Sequence, residues 1–314
     1  MKRSRDCMAV KRIDQKRRES YKLFLFILPC LIFIFIFSYL PLRGWIYAFT
    51  NYKPGYQWKD MDWVGFSNFT KLFGNAVMRQ TMFQVIGNTL YYAILGVILS
   101  PVPMFFAIFL NEMSSSKCRK IVQTLTTLPH FISWVIMYSL VFFMLSPNGF
   151  VNTLLMNLGL ISEPTDVLAS GDHVMLTQRL YQLWKETGWN AIVYLAAIAG
   201  IDQEQYEAAM IDGANRFQKI WYITVPSLSS TYFVLLVMSF GNFLNTGFDQ
   251  FYVFQNAFNK EQIQVLDLYV YNLGIGSGQT SMATAVGMAK SIIALVLFTL
   301  ANLLSKKVRG TSVF

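Results

Sequence analysis

Six stretches of the chain are apolar over lengths that match a membrane rather than a soluble core, near residues 22–49, 83–110, 121–145, 184–201, 231–254 and 284–305. About 20 residues rising ~1.5 Å each cover a hydrocarbon layer of roughly 30 Å. The pattern therefore predicts an all-α polytopic membrane protein with six transmembrane helices. Pro29 predicts a kink in the first helix. The fourth is unlike the others, because Arg179, Lys185 and Glu186 precede its apolar part, Trp189 to Ile201. Its front half is expected to be amphipathic, outside the bilayer or against a water-filled cavity.

Composition agrees with lipid as solvent: of 314 residues 54% are hydrophobic and only 14% charged, against about 25% charged in soluble domains. The net charge of +9 does not indicate nucleic acid, because nine of the 26 basic residues fall in the first 22 positions, directly before an apolar run. That is a positive-inside flank. Residues 1–21 are therefore read as a basic cytoplasmic arm and 22–314 as the transmembrane domain. The apolar run is too long for a signal peptide and no small-x-small cleavage site follows it, so it is read as an uncleaved helix. Basic residues in the 111–120 turn (Lys117, Arg119, Lys120) and the tail (Lys306, Lys307, Arg309) place both with the N-terminus in the cytoplasm. The 146–174 connector has no Lys or Arg and is expected outside. Several basic residues in the 51–82 segment run against that rule without reversing it. Cys7, Cys30 and Cys118 have no metal-type or disulfide-framework spacing, and no metal site is expected.

The polar loop 202–228 has the marks of a docking element. Asp202 with Gln205 three residues later predicts a capped helix from Gln203. Gly213 suits its end. Tyr206, Ala209, Met210 and Gly213 share one face. Pro226 is expected to break the chain before the next helix. The order Glu207-Ala208-Ala209, three residues, Gly213, nine residues, Ile223-Thr224-Val225-Pro226 resembles the EAA loop of ABC importer permeases, with Val225 where Leu is usual. In that family the loop is the cytoplasmic coupling helix, which inserts into a groove of the ATP-hydrolysing subunit. The resemblance thus assigns ATPase coupling to Glu207, Ala208, Ala209, Asp212, Gly213, Ala214, Ile223 and Pro226. Six helices with both ends inside place this loop in the cytoplasm, as that role requires.

Trp63-Val64-Gly65-Phe66-Ser67-Asn68-Phe69 is similar to the W-V-G-x-x-N-F stretch after the first helix of carbohydrate-type permeases, and Ala283-Thr284-Ala285-Val286-Gly287 resembles their tail. The aromatic density around Trp63 fits either an interfacial belt or a contact surface for an external binding protein. Leu128-Pro129-His130-Phe131-Ile132-Ser133-Trp134 and Asn245-Thr246-Gly247-Phe248-Asp249-Gln250 look like the oligosaccharide branch. The resemblance implies a type I ABC importer permease fold in the bacterial plasma membrane. It also implies a second related permease subunit, two ATP-binding subunits and an extracytoplasmic solute-binding protein. No cofactor is expected on this chain, since ATP would be bound by the partner subunits.

The chain carries no G-x-x-x-x-G-K-[ST], so nothing in it cradles nucleotide phosphates and no enzyme is predicted. Gly274-Ile275-Gly276-Ser277-Gly278-Gln279 imitates a glycine-rich nucleotide loop, but it is placed in an external turn before the last helix. Polar residues inside membrane helices normally face the bundle interior or a pathway. Asn242, Asn245, Asp249 and Gln250 are spaced as one stripe on the fifth helix, and Trp184, Trp189 and Asn190 add a stacking surface and an amide from the fourth. That mixture suits sugar hydroxyls and C–H faces, while interhelical hydrogen bonding explains the same stripe structurally. Lys290 is read as a partner of Asp249 or as a snorkelling residue. An importer of amino acids or peptides and a secondary transporter remain as alternatives, though the latter gives no reason for the EAA spacing.

Overall fold

The computed structural model describes residues 19–168, 171 and 173–309, so most of the basic arm lies outside the described residues. The first apolar stretch is one helical span, α1 (Glu19–Phe49). Its pitch does not change at Pro29 but farther on, at a π turn over Phe35–Tyr39 followed by a 3-10 stretch over Leu40–Phe49. The cause is Pro41, whose ring crowds the carbonyl four residues back and which offers no N–H to the ladder. The same device recurs at Pro226. There the span Arg216–Gly241 passes through a π turn at Ile220–Thr224, so the proline distorts the helix rather than breaking it.

After α1 the chain forms α2 (Ser67–Gly74), α3 (Ala76–Leu99) and α4 (Val102–Asn111). The last two make a single 36-residue crossing. The third crossing is not the continuous helix expected. α5 (Ser116–Thr127) ends in a 3-10 turn, Leu128–Phe131, and α6 (Trp134–Leu145) starts afresh on a Ser133 cap, whose hydroxyl accepts the Ile136 N–H at 3.3 Å. α7 (Phe150–Asn157) follows. The fourth crossing, α8 (Val174–Ala199), runs for 26 residues and begins ten residues before the expected start at 184. The 202–228 loop contributes α9 (Gln203–Ile211) and α10 (Arg216–Lys219), and the fifth crossing is α11 (Val225–Gly241). Three short helices, α12 (Phe248–Phe254), α13 (Lys260–Ile263) and α14 (Leu266–Tyr271), lead to the sixth crossing, α15 (Thr280–Arg309). Five of the crossings are long and apolar enough to be recognised by hydropathy, and α8 is the one that is not. Among the described residues the only bridge is Thr50 with Trp63.

α8 is the centre of the bundle, packing on α3, α4, α5 and α11. Its approach to α5 depends on Gly188: a Cβ there would lie 2.2 Å from the Thr126 carbonyl oxygen, so the two backbones touch. Small residues at such crossings are how membrane helices gain packing contacts. Gly188→Ala is therefore expected to push α8 off α5 and lower the thermal midpoint of the detergent-solubilised protein, as read by fluorescence-detected size exclusion after heating.

Lys185, three residues earlier, resolves the break in the third crossing. Its ammonium is buried and donates to the carbonyls of Pro129, His130 and Ile132 at 3.1, 2.6 and 2.8 Å. Non-helical backbone at membrane depth is tolerated only where such groups are satisfied inside the protein. The Leu128–Trp134 stretch is thus a helix break capped by a lysine from the neighbouring helix.

Two contacts fix which ends share a side. Arg216 pairs with the Glu112 carboxylate at 3.1 Å and donates to its carbonyl at 2.9 Å, joining the 202–228 loop to the basic 111–120 turn. At the opposite end the Ser281 hydroxyl accepts the Tyr52 N–H at 2.9 Å and donates to the Tyr52 carbonyl at 3.2 Å, joining the segment after α1 to the start of α15. That segment is also folded back on α1. Gly65 turns it at φ +57°, and the buried Asn68 amide donates to the carbonyls of Ala48 and Thr50 at 2.9 and 3.0 Å. Trp63 stacks on Phe49 with ring centroids 5.7 Å apart. The W-V-G-x-x-N-F stretch is first a staple for the end of α1, and it leaves Trp63 and Phe66 largely exposed. The glycine-rich run before α15 is no phosphate cradle. Asn272–Gly276 continue α14 as a π turn, and the Gln279 N–H closes it on the Leu273 carbonyl at 3.0 Å.

Candidate functional site

Two places gather the candidate residues: the exposed loop around α9 and a cavity between α3, α8 and α11. In α9 the Asp202 carboxylate accepts the Glu204 N–H at 3.0 Å. The carboxylate cap is present, without a reciprocal bond from Gln205 among the described residues. At the other end Ala214 N–H bonds the Ala209 carbonyl at 2.8 Å and Gly213 N–H the Met210 carbonyl at 3.1 Å, with Gly213 at φ +77°. This six-to-one plus five-to-two pair is a Schellman ending. It gives Ala209, Asp212, Gly213 and Ala214 a structural role: they stop the helix and turn the chain into α10, itself closed by an Asn215–Gln218 capping box.

The loop is tied to the bundle at its rear, where Tyr206 and Thr224 hydroxyls meet at 2.8 Å. Its front is bare. No residue of α9 is buried, Glu207 and Ala208 are exposed, and Ile211 and Phe217 are 87% and 84% exposed. With Met210, Trp221 and Tyr222 also exposed, this is an apolar patch on a rigidly capped projection. Ile223 is half-buried and Pro226 exposed, so these two carry the entry to α11 rather than the patch.

The cavity encloses about 510 Å³, within the ~300–1,000 Å³ common for small-molecule sites. Asn190, Asn242 and Asn245 line it. Trp184, Trp189, Asp249 and Gln250 do not. The fifth stretch ends as a helix at Gly241, and Asn242 to Gly247 form a link that turns at Gly247, φ +87°. The periodicity that joined Asn245 to Asp249 therefore does not apply across it. Asp249 sits exposed in the first turn of α12, where a carboxylate faces the positive end of the helix. Gln250 is buried as packing, its amide donating to the Gln178 carbonyl at 2.7 Å. Trp189 stacks face to face on His130 at 4.4 Å between centroids, and Trp184 is half-exposed. Lys290 pairs with Asp267, not Asp249. Asp267 in turn accepts the Thr246 N–H at 3.0 Å and its hydroxyl at 3.2 Å, pinning the same link to α14 and α15.

The polar stripe is on α8 instead. Arg179, Gln182, Glu186 and Asn190 follow one another at three- and four-residue steps and all face the cavity. The Arg179 guanidinium donates to Gln182, whose amide donates to Glu186 at 3.4 Å. Across from them stand Tyr92, Ser100 and Tyr232, with the last two hydroxyls 2.9 Å apart. A charged residue at the centre of a membrane helix costs roughly 2.5–3.5 kcal/mol on insertion scales, so two charges on one face imply an aqueous or substrate-filled space beside them. The expected amphipathic front half of the fourth helix is this face. The same spacing of Arg179, Gln182, Glu186 and Asn190 was the signal in the sequence, obscured because the apolar run begins only at Trp189.

A six-crossing helical membrane protein with a capped loop projecting on one side and a polar cavity between its helices is a membrane-transport subunit. Residues 100–310 match the binding-protein-dependent transport system inner membrane component family, and the chain belongs to that family, whose members are transport components rather than enzymes. It is 39% identical over 293 residues to Protein LplB of Bacillus subtilis (strain 168), covering 93% of this chain and 90% of the relative. Identity is also 39%, over 98% of this chain and 92% of the relative, to the polygalacturonan/rhamnogalacturonan transport system permease protein YteP of the same organism. A solved bacterial ABC transporter involved in the import of the acidic polysaccharide alginate contains a chain of the same fold, with a TM-score of 0.84 and 35% identity over 95% of this chain and 99% of that one. A second structure of the alginate transporter, in complex with an alginate pentasaccharide-bound periplasmic protein, aligns with a TM-score of 0.85 and 34% identity. The chain is thus an integral membrane permease of an ABC importer.

Proposed function

We propose that this permease forms half of the pathway for an oligosaccharide, with a second related permease completing it. An extracytoplasmic solute-binding protein delivers the cargo, and two ATP-binding subunits hold and hydrolyse the nucleotide, so the chain itself needs no cofactor. The observation that carries this reading is the exposed, doubly capped projection α9–α10, with Ile211 and Phe217 presented at its front. Large apolar side chains so exposed on a fixed element mark a protein contact. The coupling residues expected from the sequence, Glu207 to Ala214, build and flank that contact. The loop is cytoplasmic because it shares a side with the Lys117–Lys120 turn through the Arg216–Glu112 pair. An even number of crossings supports a cytoplasmic position for both termini. Support for a carbohydrate comes from the relatives named for polygalacturonan/rhamnogalacturonan and alginate transport. The Asn190, Asn242 and Asn245 amides around the cavity add support, since they suit hydroxyl groups. The bare Trp63 and Phe66 on the outer face offer the binding protein an aromatic contact.

The test is co-purification. Phe217→Ser should leave the permease inserted in the membrane and reduce the ATP-binding subunit recovered with it by about tenfold, the loss expected for truncating an interface anchor. Undiminished recovery with both Phe217→Ser and Ile211→Ser would refute docking through this patch.

A further inference from the structure

One charge in the cavity makes no direct ion pair. Arg179 forms no ion pair among the described residues. Its guanidinium lies 4.3 Å from the centroid of the Tyr92 ring, donates to Gln182, and keeps its Nε–H buried with no acceptor. Glu186 shares the cavity but stands seven residues along α8, about 10 Å farther down the helix axis. Gln182 bridges the two, so they meet through an amide rather than directly. The seat is specific to a planar cation. At Gly96 on α3 any Cβ would fall 1.4 Å from Arg179 Nη2, so the guanidinium occupies the space that a side chain would otherwise fill. A guanidinium has five N–H donors, and the contacts above engage only part of that set. Its fork geometry matches a carboxylate in two parallel charge-assisted bonds, which a compact ammonium does not reproduce.

We propose that Arg179 is a specificity-determining residue of the cavity. It receives the carboxylate of a uronic-acid unit in the passing oligosaccharide, so that the cargo is an acidic glycan. This rests on the reading of the protein as an oligosaccharide permease and adds the charge of the sugar to it. Tyr92 beneath the guanidinium fixes its plane, and Gln182 holds one edge. Farther down the same face Glu186 and Asn190 accept from and donate to sugar hydroxyls. A neutral oligosaccharide would leave the cation unpaired in a partly dehydrated site, and that asymmetry is the basis of selection.

The experiment uses the whole assembly, co-expressed with its partner permease, ATP-binding subunits and binding protein in membrane vesicles. The probes are radiolabelled trigalacturonate and neutral arabinotriose. The wild type is expected to take up trigalacturonate. Arg179→Gln should lower the initial rate about tenfold or more, and Arg179→Lys, which keeps the charge but loses the fork, should recover part of it. Gly96→Ala should reproduce the loss without touching the arginine, because it displaces the guanidinium, and it carries the test if Arg179→Gln fails to assemble. Uptake by Arg179→Gln or Gly96→Ala within about twofold of wild type, or equal loss in Arg179→Gln and Arg179→Lys, would overturn the proposal. Wild-type uptake of arabinotriose but not of trigalacturonate would overturn it while leaving the oligosaccharide reading intact. Uptake of neither probe by an assembled, ATP-hydrolysing complex would overturn both.

Discussion

Gly213→Asp is expected to abolish ATP-driven uptake while the protein still inserts and folds. The structure separates these two outcomes. Gly213 has a left-handed backbone at φ +77°, and a Cβ there would meet no atom within 4 Å. Within the chain the substitution therefore costs only the conformational term, about 1–2 kcal/mol for a residue with a Cβ and less for Asp, which tolerates this region. That leaves the Schellman turn largely in place. The larger penalty falls on the complex, where a carboxylate replaces a hydrogen at the edge of the Ile211–Phe217 contact and is buried without a partner. Gly213→Asn separates the two effects, since it carries the same shape without the charge and should keep appreciable uptake. The measurement is uptake in vesicles, normalised to permease recovered from the membrane. Normal uptake by Gly213→Asp would mean that the projection does not dock.

Lys185→Met is expected to have the largest effect on stability. Three backbone carbonyls at the break between α5 and α6 lose the ammonium at once; that of Pro129 keeps the Ile132 N–H at 3.3 Å, and each buried acceptor left without a partner costs about 1–3 kcal/mol. A loss of roughly 3 kcal/mol or more is a large part of the 5–15 kcal/mol that holds a typical domain together. The variant should aggregate on solubilisation or lose the native thermal transition, whereas Lys185→Arg, which can still donate, should be milder. An unchanged thermal midpoint for Lys185→Met would show that water satisfies these carbonyls.

These two residues also mark where the sequence was legible and where it was not. Six apolar stretches were legible as crossings because length against bilayer thickness is a strong constraint, although only five are long and apolar enough to be recognised by hydropathy alone. The ends of α9 were legible because caps and turns are local chemistry, and the coupling role of this loop rests on its resemblance to the EAA loop of ABC importer permeases. Interruptions inside apolar runs were not legible. Asn242 to Gly247 and Leu128 to Ser133 read as helix, since their breaks are stabilised by residues distant in sequence, Asp267 with Lys290 for the first and Lys185 for the second. A periodicity argument assumes an unbroken helix, and so it set Asp249 and Gln250 in a stripe with Asn245 that the link at Gly247 dissolves. Conversely, the charges on α8 hid a true crossing from hydropathy while disclosing its cavity face. The W-V-G-x-x-N-F stretch was readable as an aromatic surface, but its Asn68 staple to the end of α1 needed the fold to bring residues 48 and 68 together.

The central claim is that a cytoplasmic projection between α8 and α11 connects this permease to its ATP-binding partner. Site-directed labelling tests it most directly: with the native cysteines replaced, Phe217→Cys is treated with a membrane-impermeant maleimide in intact cells and in inside-out vesicles. The account predicts labelling only in the inside-out vesicles, and protection when the ATP-binding subunits are present. Labelling from outside intact cells would contradict it.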